Sequence, residues 1–207
     1  MIRRALAPTL AGLCVAAAMP PWGWWPLAFV GIALYASIAR KHQGDRDFLN
    51  GFAFALAWFL PAMAWMWFLT APGYLIASAL FASFHGLAAM AAARLGTTPH
   101  MHTAALVLCH GLAESLRLSW PFGGVPLATL AISQSSSPIA ALSPYLGVIG
   151  IGILVLWMSM TSHKFRAVLL VVVAIGIANR WDGTSATGEK ATLAFVQGGG
   201  EQGTRAV

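Results

Sequence analysis

A chain of 207 residues that is 58% hydrophobic and only 9% charged cannot clothe a water-soluble domain, because such domains carry about 25% charged residues. The composition predicts a polytopic membrane protein. Twelve lysines and arginines stand against six aspartates and glutamates; in a membrane protein that excess gathers first in cytoplasmic loops and does not point to nucleic acid.

The chain begins MIRRALAPTLAGLCVAAAMPP, a basic stretch followed by an apolar run, as in a signal peptide. Met19 and the Pro20-Pro21 pair spoil the small-x-small cleavage pattern, and Leu13 stands where a lipoprotein-type signal needs a small residue before Cys14. It reads as a retained first span. Cys14 and Cys109 both fall inside apolar runs and read as packing residues rather than a disulfide.

Seven helical segments follow from hydropathy, at about 5–19, 24–38, 48–69, 73–93, 103–118, 146–161 and 165–179. A straight crossing needs about 20 residues, so the first two, being shorter, form a tight hairpin. Its PPWGWWP corner belongs at the interface, where Trp is favoured. With the N-terminus inside, the cytoplasmic segments hold Arg3, Arg4, Arg40, Lys41, Arg46, Arg94, Lys164 and Arg166. The outer ones hold Arg117, Arg180, Lys190 and Arg205. An odd number of spans then places everything after Asn179 on the extracytoplasmic side.

One connection is long, SWPFGGVPLATLAISQSSSPIAALSPY at residues 119–145. It is too apolar for a solvated loop and too rich in Pro, Gly and Ser for a clean span. Non-helical backbone at membrane depth is tolerated only where it is buried in protein or lines a cavity. A re-entrant or interfacial element beside a site is therefore expected, with a surface loop lying on the headgroups as the alternative.

The fifth segment, CHGLAESLRLSW, carries the only acidic residue inside a hydrophobic helix. His110, Glu114 and Arg117 lie at i, i+4 and i+7 and share a face. Two readings stand: a polar clamp fixing helix packing, or a role beside bound lipid or substrate. Arg117 can also snorkel toward the outer interface. Cys109 cannot meet His110 as a base, since neighbours on a helix project about 100° apart. His85 and His110 can face each other across two spans, yet a metal needs three or four matched ligands, and no metal site is expected. His100 and His102 fall in the TTPHMHT loop, read as solvated. GVIGIG at 147–152 has no strand before it, so its glycines point to close helix approach rather than phosphate. The AMAWMWF run at 62–68 reads as core and interface packing.

None of this makes an enzyme by itself. Three stretches in order, however, resemble the apolipoprotein N-acyltransferase family. AAAMPPWGWWPLAFVGIAL is similar to its Pro-Pro-aromatic-Gly-Trp-Trp-Pro-Leu-Ala opening hairpin. ESLRLSWPFGGVPLATLAISQSSSPIAALSPYLGVIGIG resembles its order of Glu, Leu-Arg, Phe-Gly-x-Pro turn, Ser-Gln, Ser-Pro and Gly-rich span, with the turn here one residue longer. LAFVQGGGEQGTRAV resembles the Val-Gln-Gly strand that opens the family's nitrilase-like domain, without the Trp many members place shortly after it. The GGGEQGTRA wording is nearer an actinobacterial branch, where the enzyme is sometimes linked to a polyprenol-phosphate mannose synthase.

The resemblance implies an all-α membrane bundle of about seven transmembrane helices over residues 1–180. Residues 181–207 would be an extracytoplasmic linker and the first β-strand of a nitrilase-like domain, the chain stopping short of the rest. It implies an acyltransferase in the bacterial cell membrane, moving an acyl chain from phospholipid through a Cys thioester to the α-amine of a diacylglyceryl-cysteine lipoprotein. The family's Glu-Lys-Cys triad has no counterpart in these residues, so no catalysis is expected from this chain alone; a separate nitrilase-like domain would be its partner. No cofactor, metal or nucleic acid is implied. The positions expected to serve lipid and substrate are Glu114, Arg117, Phe122, Pro126, Ser133 and Gln134, with Gln197 and Gly198 opening the outer domain. Two alternatives stand: a non-enzymatic membrane anchor for a glycosyltransferase such as that mannose synthase, and, last, a small transporter, for which the halves show no convincing repeat.

Overall fold

The computed structural model describes residues 2–40, 46–121 and 124–180. Seven α-helices stand among them: α1 (Ile2–Ala17), α2 (Pro26–Ala39), α3 (Arg46–Ala62), α4 (Ala71–Leu95), α5 (Pro99–Arg117), α6 (Ser143–Met160) and α7 (Lys164–Arg180). Each hydropathy segment has its helix. Among the described residues there is no strand, and the strand expected at 191–197 lies outside them. Among the described residues, two helical stretches are long and apolar enough to cross a bilayer on their own terms. These are Ala71–Leu95, with mean hydropathy 1.7, and Pro138–Met160, with mean hydropathy 2.2. The first two helices carry shorter apolar stretches, Leu6–Ala17 and Pro26–Ala39.

Local chemistry explains the boundaries. Pro26 opens α2, where a missing N–H costs nothing. Thr70 caps α4 by accepting the Gly73 amide at 3.3 Å, and Thr98 caps α5 by accepting the Met101 amide at 3.3 Å. The second cap corrects one expectation. TTPHMHT is not a solvated loop: His100 and His102 lie in the first turn of α5, and His102 is buried. Hydropathy misses the turn because a Thr-Pro cap, not apolar periodicity, starts the helix.

α3 packs against both α1 and α4, and small residues make the approach possible. A Cβ at Gly12 would sit 2.0 Å from the Phe54 carbonyl oxygen of α3. The core is aromatic where these helices meet: Tyr35, Trp58, Phe59 and Phe81 are almost wholly buried. The outward flanks are apolar as well, with Leu10, Ile76, Leu112 and Leu170 more than half exposed.

The two ends of the bundle differ. Arg40 closes α2 and donates to the Met160 carbonyl at the end of α6, and His100 stacks on His163 just before α7. With Arg94 ending α4 and Arg46 opening α3, this end is basic. The other end carries the half-exposed Trp22, Trp24, Trp65, Trp67 and Trp120.

From that aromatic end the chain between α5 and α6 turns back inward. It forms short 3₁₀ turns at Ile132–Gln134 and Pro138–Leu142, and Leu130, Ser133, Gln134 and Ile139 are buried. A Cβ on Gly152 would touch the Leu130 side chain at 3.9 Å. Gly152 lies five residues beyond the kink at Gly147, so the segment packs against the body of α6 and not only against its start. Of the two readings of 119–145, the buried one fits residues 128–134, while Trp120, Pro126 and Leu127 before them are exposed. In α6 itself Gly147 breaks the helical path at φ 62, ψ −174; GVIGIG lies across a kinked helix.

Candidate functional site

Tyr35, His85, His110, Glu114, Arg117, Ser133 and Gln134, all buried, meet in one place, where α2, α4, α5 and the re-entrant segment converge. Arg117, in the last turn of α5, is completely buried, so it does not snorkel to the interface. Its Nε donates to Glu114 Oε1 at 3.2 Å, and its Nη2 to Oε1 at 2.9 Å and Oε2 at 3.1 Å. The i, i+3 spacing places the two side chains one above the other. The remaining donors go to backbone: Nη1 to the carbonyls of Val125 at 3.1 Å and Leu127 at 2.6 Å, and Nη2 to that of Ala128 at 3.3 Å. Phe59 and Phe81 present ring faces to the guanidinium, with centroids 4.9 and 5.7 Å away.

Glu114 completes the grip from the other side. Its Oε2 accepts the Leu130 amide at 3.2 Å. Ser133 donates to the Leu130 carbonyl at 2.6 Å, Gln134 Nε2 donates to Ser133 Oγ at 3.0 Å, and the same nitrogen reaches the Trp25 carbonyl at 3.5 Å. Four of the anticipated residues, Glu114, Arg117, Ser133 and Gln134, thus form one network that holds residues 125–134 inside the bundle. Pro126 stands apart on the exposed side of that segment, between the Val125 and Leu127 carbonyls that Arg117 Nη1 takes. Phe122, Gln197 and Gly198 lie outside the described residues.

A chain of rings extends the network. Tyr35 Oη lies 3.1 Å from His110 Nε2, and His110 Nδ1 lies 2.9 Å from His85 Nδ1. His85 Nε2 approaches Glu114 Oε1 at 3.4 Å, too poorly aligned to count as a hydrogen bond. One assignment satisfies every contact with both imidazoles neutral: Tyr35 donates to His110, His110 Nδ1–H donates to His85, and His85 Nε2–H faces the carboxylate. The expected facing of His85 and His110 is present. No set of three metal-binding side chains occurs among the described residues.

Tyr35 is the member that sequence reading misses. The signal was a phenol hydroxyl in a helix whose only other polar side chain is Ser37, since a buried tyrosine finds a partner for its O–H. Nothing here resembles an activated nucleophile. Cys109 is half-buried on α5 with a free thiol and has no contact to His110 beyond being its neighbour in sequence. What the arrangement can do is immobilise backbone: Arg117 and Glu114 together take three carbonyls and one amide of a non-helical segment.

Comparison with known proteins follows the same landmarks. Residues 11–161 match the family model described as the apolipoprotein N-acyltransferase N-terminal domain. Curated relatives include the apolipoprotein N-acyltransferases of Haemophilus influenzae, 25% identical over 165 residues covering 74% of this chain and 31% of the relative. That of Ralstonia nicotianae is 30% identical over 159 residues, covering 69% and 30%. That of Verminephrobacter eiseniae is 29% identical over 180 residues, covering 76% and 33%. The chain spans about a third of the length of these relatives.

Proposed function

The chain belongs to the apolipoprotein N-acyltransferase family, and from that premise we propose that its helices form the membrane-embedded part of such an acyltransferase, of the bacterial cell membrane. In this reading all seven helices cross the bilayer, the basic end faces the cytoplasm, and residues after Arg180 face outward. Those residues lead into the nitrilase-like domain whose Glu, Lys and Cys carry an acyl group from phospholipid to a diacylglyceryl-cysteine lipoprotein. The bundle anchors that domain and shapes the lateral opening for the acyl chains.

The observation that carries this reading is the re-entrant segment. A stretch of non-helical backbone packed inside the bundle, with its carbonyls held by a buried arginine, is a structure that hydrocarbon tolerates only when it is buried in protein or lines a cavity. Its outward side offers Trp120, Pro126 and Leu127 to lipid. Glu114, Arg117, Ser133 and Gln134 are positioning residues that fix its path. Pro126 belongs to the face that meets acyl chains; Phe122 is assigned the same role, and Gln197 and Gly198 that of opening the outer domain.

The test is complementation of a strain unable to add the third acyl chain, read by mass spectrometry of a lipoprotein's N-terminal peptide. Residues 1–207 alone are expected to leave the peptide diacylated. The same residues joined to the nitrilase-like domain of a relative are expected to restore it. Restoration by 1–207 alone overturns the division of labour. Failure of the joined protein, once inserted and accumulated normally, overturns the proposal.

A further inference from the structure

The rings of Tyr35 on α2, His85 on α4 and His110 on α5 are almost wholly buried, and packing leaves them little freedom. Tyr35 stacks on Phe54 with ring centroids 4.3 Å apart. His85 stacks on His110 at 5.2 Å and lies against Trp58 and Phe59 at 5.5 and 5.6 Å. α4 is itself pressed onto α3 at this level, since a Cβ on Gly51 would lie 2.6 Å from the His85 carbonyl oxygen.

The row of rings has a direction. Two neutral imidazole nitrogens 2.9 Å apart share one proton between them, so every link must point the same way. If His85 gave that proton, its Nε2 would turn a lone pair toward Glu114 Oε1 at 3.4 Å, and the Tyr35 hydroxyl would lose its acceptor. The carboxylate therefore selects the opposite polarity, from Tyr35 through His110 Nδ1–H and His85 Nε2–H to Glu114. Hydrogen bonds in such a row polarise one another in the low dielectric of an interior.

What the row supplies is an outside reference for the clamp. The terminal torsion of a glutamate is broad, so the plane of the Glu114 carboxylate is set by its partners. Arg117 stands one turn away on the same helix, and the Leu130 amide belongs to the segment being held. His85 brings in α4 and, through His110, Tyr35 brings in α2. Without that third partner, carboxylate, guanidinium and segment can shift together and keep their mutual contacts.

We propose that Tyr35, His110 and His85 are positioning residues for acyl-substrate binding. They fix the Glu114 carboxylate relative to α2 and α4, and through it the segment that presents Trp120, Pro126 and Leu127. The role rests on the bundle serving an acyltransferase. Being buried, the three rings cannot meet an acyl chain themselves, so they act on substrate affinity and not on the chemical step.

Tyr35→Phe tests this, because it keeps the ring and its packing on Phe54 and removes only the hydroxyl at the far end of the row. In the 207-residue chain, NMR of the histidine ring nitrogens is expected to find His110 protonated at Nδ1 and His85 at Nε2. Tyr35→Phe is expected to speed hydrogen exchange at the Leu130 amide about threefold, the yield of one hydrogen bond in a membrane bundle. In a His85→Phe background, where the row is already cut, Tyr35→Phe is expected to add nothing. In the chain joined to a relative's nitrilase-like domain, Tyr35→Phe is expected to raise KM for phospholipid about threefold with kcat unchanged.

Both histidines protonated at Nε2, or Leu130 exchange unchanged in Tyr35→Phe, overturns the row. Additive effects of Tyr35→Phe and His85→Phe overturn its continuity. A fall in kcat at unchanged KM overturns the positioning role. A joined protein that is inactive without any substitution, while the nitrogens and the exchange behave as expected, overturns the acyltransferase reading and not the row.

Discussion

Arg117→Met is the substitution that most directly tests how the re-entrant segment is held. Methionine fills much of the space but provides no donor. Glu114 would keep only the Leu130 amide and the loosely aligned His85 as company, and three carbonyls would lose their partner. The two losses differ in size. A hydrogen bond within a membrane bundle is worth about 0.6 kcal/mol on average, whereas stranding one member of a buried ion pair costs about 3–5 kcal/mol. The orphaned carboxylate dominates, and Arg117→Met is expected to destabilise the protein by about that amount. Adding Glu114→Gln removes the stranded charge, so the double variant should recover about 1–3 kcal/mol and be more stable than Arg117→Met alone. Equilibrium unfolding in mixed micelles gives the energies, and hydrogen exchange at the Leu130 amide reports whether the segment has come loose. A cost below about 1 kcal/mol for Arg117→Met, or a further loss on adding Glu114→Gln, would refute the clamp.

Two glycine substitutions test the backbone. Gly147→Ala should cost about 1–3 kcal/mol, because φ 62, ψ −174 is a conformation almost confined to glycine, even though nothing lies within 4 Å of the new methyl. Gly176→Ala, also in open space but inside α7, is its control and should gain about 0.5–1 kcal/mol; equal effects at both sites would show that the kink at Gly147 is not strained. Gly12→Ala must push α1 away from α3, since the methyl would lie 2.0 Å from the Phe54 carbonyl oxygen. A loss of about 1–3 kcal/mol is expected by unfolding in micelles, and a neutral result would mean the two helices do not meet there.

How much of this could be read from the sequence depends on what each feature is made of. Helices made of apolar residues announce themselves, and all seven lie where hydropathy puts them, but two boundaries differ. α3 stops at Ala62 rather than near 69, and the last part of its expected length is a separate 3₁₀ stretch at Ala64–Phe68. The start of α5 is set by the Thr98-Pro99 cap, and its first turn is polar enough to look like loop. The Glu114–Arg117 pair is legible from its spacing, since an acid and a base three residues apart in a span need each other. What they hold is not legible. The acceptors are the carbonyls of Val125, Leu127 and Ala128, and every residue of every sequence offers a carbonyl. Nor does the sequence say that His85 and His110 meet with Tyr35, because a hydroxyl on α2 becomes relevant only once α2, α4 and α5 are packed together.

The same reasoning explains why an arginine stands at 117. A non-helical segment in hydrocarbon has carbonyls that water cannot reach and that no neighbouring helix can supply with amides. A guanidinium carries five N–H donors in a rigid plane, enough to meet a carboxylate on one edge and several carbonyls on the other. The donors of Arg117 are divided in that way between Glu114 and the loop. A lysine has three donors around a single point and cannot span both, so Arg117→Lys would keep the charge and still release the segment. The constraint on residues 125–128 is therefore on the path of their backbone. Side chains there are free to differ wherever the carbonyls still turn toward Arg117.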